Sequence, residues 1–128
     1  MKIAIAVKDD FRVVSGHAGK AASWLVYDCR PEGTIPAPRK ITLASDQILH
    51  HFADEGPHPL DGVEIVVAAS AGDGFVRHMH RRGAEVLLTG ETDPALALKK
   101  ILRGEALAEQ RYDVTTTLCK LRDLFSRY

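Results

Sequence analysis

The stretch Val63-Glu64-Ile65-Val66-Val67-Ala68-Ala69, followed by Ser70-Ala71-Gly72-Asp73-Gly74, decides how this chain folds. The run is short, almost continuously apolar and rich in Val and Ile, which reads as a central strand covered on both faces. Phe75 to Arg82 then reads as a helix, with Phe75, Val76 and Met79 on its buried face and Gly83 closing its C-terminal end. Ala84 to Thr89 is the next strand. Asp93 caps a second helix with Pro94 at its first position, running to about Arg103 and ending at Gly104. Strand, loop, helix, strand, loop, helix over residues 63–104 is a βαβα unit, which implies a right-handed crossover between parallel strands.

Upstream, residues 2–7 (Lys-Ile-Ala-Ile-Ala-Val) repeat the signature of a doubly covered strand, and residues 23–29 form a second. Pro31, Gly33, Pro36 and Pro38 punctuate a loop, and Arg39 to Leu43 reads as a third, weaker strand. Ser45 or Asp46 caps a short expected helix, Gln47 to Ala53, before the irregular connection marked by Gly56, Pro57 and Pro59. These N-terminal strands suit a mixed or antiparallel edge, so the expectation is a layered α/β sheet. Downstream, Leu118, Leu121, Phe125 and Tyr128 share one helical face, with Asp113 and three threonines as a start signal. This tail helix is expected to pack on the sheet.

At 128 residues the chain reads as one core-forming domain. Lys plus Arg and Asp plus Glu are 17 each, so the net charge is zero, which argues against a general nucleic-acid binder. No apolar run reaches the ~18 residues of a membrane span. The N-terminal apolar segment is too short for a signal peptide and runs into Lys8-Asp9-Asp10, so a cytoplasmic protein is expected. Cys29 and Cys119 form no C-x-x-C unit and read as free thiols with a packing role.

Chemistry concentrates in Ser15-Gly16-His17, followed by Ala18-Gly19-Lys20, between the first two strands. Glycine allows close backbone approach to a ligand, and histidine supplies a neutral nitrogen donor or a proton near neutral pH. A plain turn with an exposed histidine fits the same letters. Gly72-Asp73-Gly74 opens a helix, whose N–H groups favour an anion, although neither G-x-G-x-x-G nor G-K-[ST] is present. Both loops follow strands whose carboxyl ends would lie at one sheet edge, where ligands of open α/β sheets gather. Arg12 and Lys20 flank the His17 loop. His50-His51 are adjacent and His78 and His80 are two apart, so neither pair has the spacing of a helical metal site. An open site with one or two protein ligands remains, with His17 its best candidate. No nucleophile elbow is present. Asp9, Asp10, Asp28 and Asp73 would have to cluster to serve phosphoryl chemistry.

Met1 to Val7, Val14-Ser15-Gly16-His17-Ala18-Gly19-Lys20-Ala21, Leu25-Val26-Tyr27, Leu60 to Ala68, Gly72 to Gly74 and Gly83 to Thr89, in that order, resemble the dinitrogenase iron–molybdenum cofactor biosynthesis domain. That domain occurs in Nif-type carrier and chaperone proteins (NifX, NifY and the NifB C-terminal region) and in small stand-alone proteins. The resemblance covers roughly residues 1–105, so a domain over 1–108 with a helical extension over 109–128 is expected. It implies a three-layer α/β/α, ribonuclease-H-like fold with a five-stranded mixed sheet, and binding of an iron–molybdenum cofactor or iron–sulfur precursor without catalysis. The family's histidine, in a His-Phe-Gly pattern, corresponds to His17, with Ala18 where the family has phenylalanine. His17 would be the metal ligand, with Ser15, Gly16, Gly19, Lys20, Gly72, Asp73 and Gly74 completing the cofactor site. A cluster-synthesising or acceptor protein would be the partner of a monomer or weak homodimer. Two other readings stand beside it: a small-molecule or protein-binding module of the same fold without a cluster, and a ribonuclease-H-like nuclease.

Overall fold

Four strand pairings fix the frame, and a computed structural model describes residues 1–29, 35–52 and 56–102 of it. Strand β1 (Lys2–Val7) lies antiparallel to β2 (Ser23–Asp28), which pairs antiparallel with the edge strand β3 (Arg39–Thr42). On its other side β1 runs parallel to β4 (Val63–Ala68), which runs parallel to β5 (Glu85–Leu88). The five-stranded mixed sheet therefore has the order β3-β2-β1-β4-β5. Helix α1 (Asp73–Arg81) links β4 to β5, and α2 (Pro94–Leu102) follows β5. Among the described residues no helix is long and apolar enough to cross a membrane. The expected tail helix, the residues beyond Leu102 and Cys119 lie outside the described residues.

Side-chain alternation builds the three layers. Successive strand residues point to opposite sheet faces. Ile3, Ile5 and Val7 of β1, Leu25 and Tyr27 of β2, and Ile65 and Val67 of β4 pack with Leu98 and Ile101 of α2. Ala4, Ala6, Trp24, Val26, Val66 and Ala68 face Val76 and Met79 of α1. The register between β1 and β4 slips between Lys2 and Ile3, opposite Val63 and Ile65. This irregularity puts Val63 in the α1-side core and Ile65 in the α2-side core, which strict alternation would have kept together. Cys29 is buried with the α2-side core, and burial pushes its thiol pKa up.

Both helix termini follow local chemistry. The Asp93 side chain accepts a hydrogen bond from Ala95 N–H at 3.0 Å, directly ahead of Pro94. Helix α1 starts earlier than the sequence predicts, at Asp73, and ends with Gly83 at φ 85°. Ala84 N–H reaches Met79 O at 2.8 Å and Gly83 N–H reaches His80 O at 3.0 Å, the paired bonds of a Schellman motif.

The helix expected over Gln47 to Ala53 is not formed in its described part, which is a series of turns. Ile48 N–H bonds Ala44 O and Phe52 N–H bonds Ile48 O, as a helix requires. His50 N–H instead donates to Gly19 O at 2.7 Å, leaving the helical ladder for a partner on another loop. Capping falls to Gln47, whose Oε1 accepts from Ala44 N–H at 2.9 Å, in place of Ser45 or Asp46.

His58, 5% exposed, holds the next connection from inside. Its Nδ1 accepts from Leu60 N–H at 3.0 Å, so its Nε2 carries the proton and donates to Gln47 O at 2.7 Å. Replacing it with alanine leaves both backbone groups without this partner. His58→Ala should lose about 1–3 kcal/mol in urea unfolding, whereas substitutions at exposed His51 should stay within about 0.5 kcal/mol.

Candidate functional site

The carboxyl ends of β1 and β4 lie side by side because the two strands are parallel neighbours. From there the chain departs in opposite directions, from β1 towards β2 and from β4 through α1 to β5. A crevice at such a reversal is where open α/β sheets bind ligands.

Backbone hydrogen bonds stitch the His17 loop to the segment after β4. Ser15 N–H bonds Ala6 O at 2.8 Å, Ala69 N–H bonds Ser15 O at 3.0 Å, and Ala18 N–H bonds Ser70 O at 3.2 Å. The Ser70 hydroxyl donates to Gly16 O. His17 caps the 3₁₀ turn Ala18–Lys20, and its own N–H donates to Ser15 Oγ at 3.3 Å. Ser15 and Gly16 thus set the loop's shape, while the His17 side chain stays exposed.

The resulting cavity measures about 340 Å³. One wall is His17 to Lys20, another is Ser70 to Gly72 with Gly74 and Phe75, and His50 completes the lining. The exposed His17, Lys20, His50, Gly72 and Gly74 leave it open to solvent. Ala18, Ala71 and Phe75 give it apolar surface. Gly72 is the N-cap of α1, so the start of the helix, which also carries the Asp73 carboxylate in its first turn, borders the cavity.

Of the residues singled out in the sequence, His17, Gly19, Lys20, Gly72 and Gly74 come together in the lining. Ser15 and Gly16 stand behind it as hydrogen-bonding supports. Asp73 opens α1 and Arg12 is an exposed loop residue; neither lines the cavity. Phe75, expected on the buried face of α1, is only partly buried and contributes to the cavity wall. Ser70, Ala71 and His50 were missed. Ser70 and Ala71 were adjacent to the recognised glycine loop, but nothing local to His50 marks it, because its place depends on the bond to Gly19.

The remaining charges serve elsewhere. Arg82 pairs with Asp61 and lies 5.4 Å from the Phe52 ring centre. The His58 backbone N–H, assisted by Arg82, holds the Asp61 carboxyl below its ordinary pKa. His80 Nε2 lies 3.2 Å from Glu85. The four aspartates weighed for phosphoryl chemistry do not converge. Asp28 pairs in register with Lys2, at the far end of β1 from Asp9 and Asp10, about 20 Å away at 3.3 Å per residue. Among the described residues no three His, Cys, Asp or Glu side chains are grouped to hold a metal ion.

Comparison with known proteins gives the family and the fold. The family model described as "Dinitrogenase iron-molybdenum cofactor" matches residues 1–104. The crystal structure of PH0822 superposes with a TM-score of 0.64 at 22% identity, covering 88% of this chain and 98% of that one. A Methanocaldococcus jannaschii protein, mj0327, whose description names a dinitrogenase, superposes at 0.61 with 13% identity, over 82% and 90% of the two chains. The Thermotoga protein TM1290, described as NifB-like, superposes at 0.57 with 20% identity, over 88% and 97%. No curated protein matches the sequence.

Proposed function

The chain belongs to the dinitrogenase iron–molybdenum cofactor family, and from that premise we propose that it is a non-enzymatic carrier for an iron–molybdenum-type cofactor or its iron–sulfur precursor. The observation that carries this reading is His17 on the open rim of the cavity where β1 and β4 end together. Three features of the cavity suit such cargo. An imidazole is a fitting ligand for iron. The Lys20 ammonium and the start of α1 favour a guest of negative charge. Gly19 keeps the floor clear, since a Cβ there would lie 3.6 Å from Phe75 Cδ2 and 4.0 Å from His50 Cβ.

Transit demands release as well as binding. Permanent iron–sulfur clusters sit among four thiolates, and this chain has two cysteines in all, with Cys29 buried in the sheet core. A rim imidazole with a cation and backbone N–H groups grips a guest that a cluster-synthesising protein supplies and an acceptor protein removes.

Anaerobic titration with an iron–sulfide cluster, with and without molybdenum, tests the reading. The protein should bind it, and His17→Ala should weaken binding by at least 10-fold, about 1.4 kcal/mol, without altering the melting curve. Equal affinity in the variant removes His17 from the site, and a protein that stays colourless and iron-free removes the carrier function.

A further inference from the structure

His50 is fixed in the fold from two sides. Leu49, its neighbour, is buried in the α1-side core, and its own N–H is held by Gly19 O at 2.7 Å. Gly19 belongs to the turn that His17 caps, so the two histidines are carried by segments joined through one backbone hydrogen bond. His50 lines the His17 cavity and also an adjoining hollow of about 200 Å³, which His78 lines further on. The two hollows share Gly19, His50, Gly74 and Phe75 and so adjoin as one groove. His51 lines neither hollow and meets His50 edge-on, with ring centres 5.1 Å apart.

We propose that His50 is a second imidazole donor to the guest held by His17, so that the groove grips its cargo with two nitrogens from two different loops. The proposal rests on the cluster-binding reading above. Each imidazole donates a nitrogen lone pair to an open metal position, and no proton or electron is exchanged with the protein. The second donor acts at high effective concentration, because the scaffold already holds both imidazoles in the lining of one cavity. A guest with two open metal positions is therefore favoured over one with a single position. The sequence gives no hint of this pairing, since His50 stands next to His51 and far from His17.

The test compares the protein with its His17→Gln, His50→Gln and His51→Gln variants. Each is loaded with an iron–sulfide cluster assembled anaerobically from ferrous iron, inorganic sulfide and a thiol. Glutamine at position 50 keeps the backbone N–H that bonds Gly19, and the exposed side chain makes folding insensitive to the change. Visible titration should show about 10-fold or greater weakening for His17→Gln and for His50→Gln, and none for His51→Gln. Pulsed EPR of the reduced cluster should show two nitrogen couplings in the unaltered protein and His51→Gln, and one in each of the other variants. His50→Gln with both couplings and full affinity overturns the proposal and leaves the His17 reading standing. Loss on His50→Gln alone, with His17→Gln unchanged, overturns the two-nitrogen grip and the His17 reading with it. Equal loss in His51→Gln and His50→Gln marks general disturbance of the segment and overturns the proposal, and failure of the unaltered protein to take up cluster overturns both readings.

Discussion

Trp24→Ala should destabilise the fold by about 3–5 kcal/mol, lowering the melting temperature by roughly 10–20 °C. Trp24 is among the largest fully buried side chains. It sits in register with Ala6 on β1, and Ala4, Ala18 and Ala21 belong to the same core. The alanines on the β1 side are too short to fill the space an indole leaves, although Ile41 pairs with Trp24 from β3, so much of the cavity persists and the cost is that of a large-to-small core change. The effect also reaches the site. Indole N–H donates to Ala21 O at 3.0 Å, and Ala21 N–H bonds Ala18 O to close the 3₁₀ turn carrying Gly19 and Lys20. Trp24→Phe, which keeps most of the volume and loses the hydrogen bond, should lose about 1–2 kcal/mol. Urea unfolding of both variants checks the order. A Trp24→Ala protein within 1 kcal/mol of the unaltered one, on the scale of ordinary substitutions, contradicts this account of the core.

Gly19→Leu should separate stability from binding. The backbone at Gly19 does not have the left-handed φ of Gly56, Gly62 and Gly83, so a side chain is accommodated without backbone strain. The first carbon meets only ordinary contacts, with Phe75 and His50. Losing glycine's freedom in the unfolded chain should leave stability unchanged or raised by about 0.4–1 kcal/mol. The remaining leucine carbons extend into the groove between the walls that carry His17 and His50. Cluster affinity should fall at least 10-fold, about 1.4 kcal/mol, while the melting temperature holds or rises. Full affinity in a stable Gly19→Leu protein means that the guest sits elsewhere. Opposed signs make the result hard to mimic by misfolding, which would lower both.

Much of the fold was legible because its signals are local. Ile3 to Val7 and Val63 to Ala68 are apolar on both faces, and a strand of that kind needs cover above and below. Gly83 with its positive φ and Asp93 ahead of Pro94 mark helix boundaries through the chemistry of single residues. The His17 and Gly72 loops were likewise readable, since each follows an apolar strand and both strands end on the same side.

What misled was any element whose hydrogen bonds go to a distant partner. Gln47 to Phe52 has the letters of a helix, but one N–H, that of His50, is taken by Gly19 O, and the ladder breaks there. Phe75 has the spacing of a buried helical residue, and it packs against the α1-side core while one side of it also lines the cavity.

By itself the sequence determined the layers, the parallel pairing of the two strands in the 63–104 unit, and the histidine loop after the first strand, through periodicity and turn chemistry that act over a few residues. It placed that first strand at an edge, whereas the structure puts it at the centre beside β4. Only the tertiary structure decided the strand order, the register slip that divides Val63 from Ile65 between two cores, and the meeting of His50 with Gly19. Contacts between residues far apart in the chain carry no local pattern. They exist because a shared core holds both segments and every buried backbone group must find a partner.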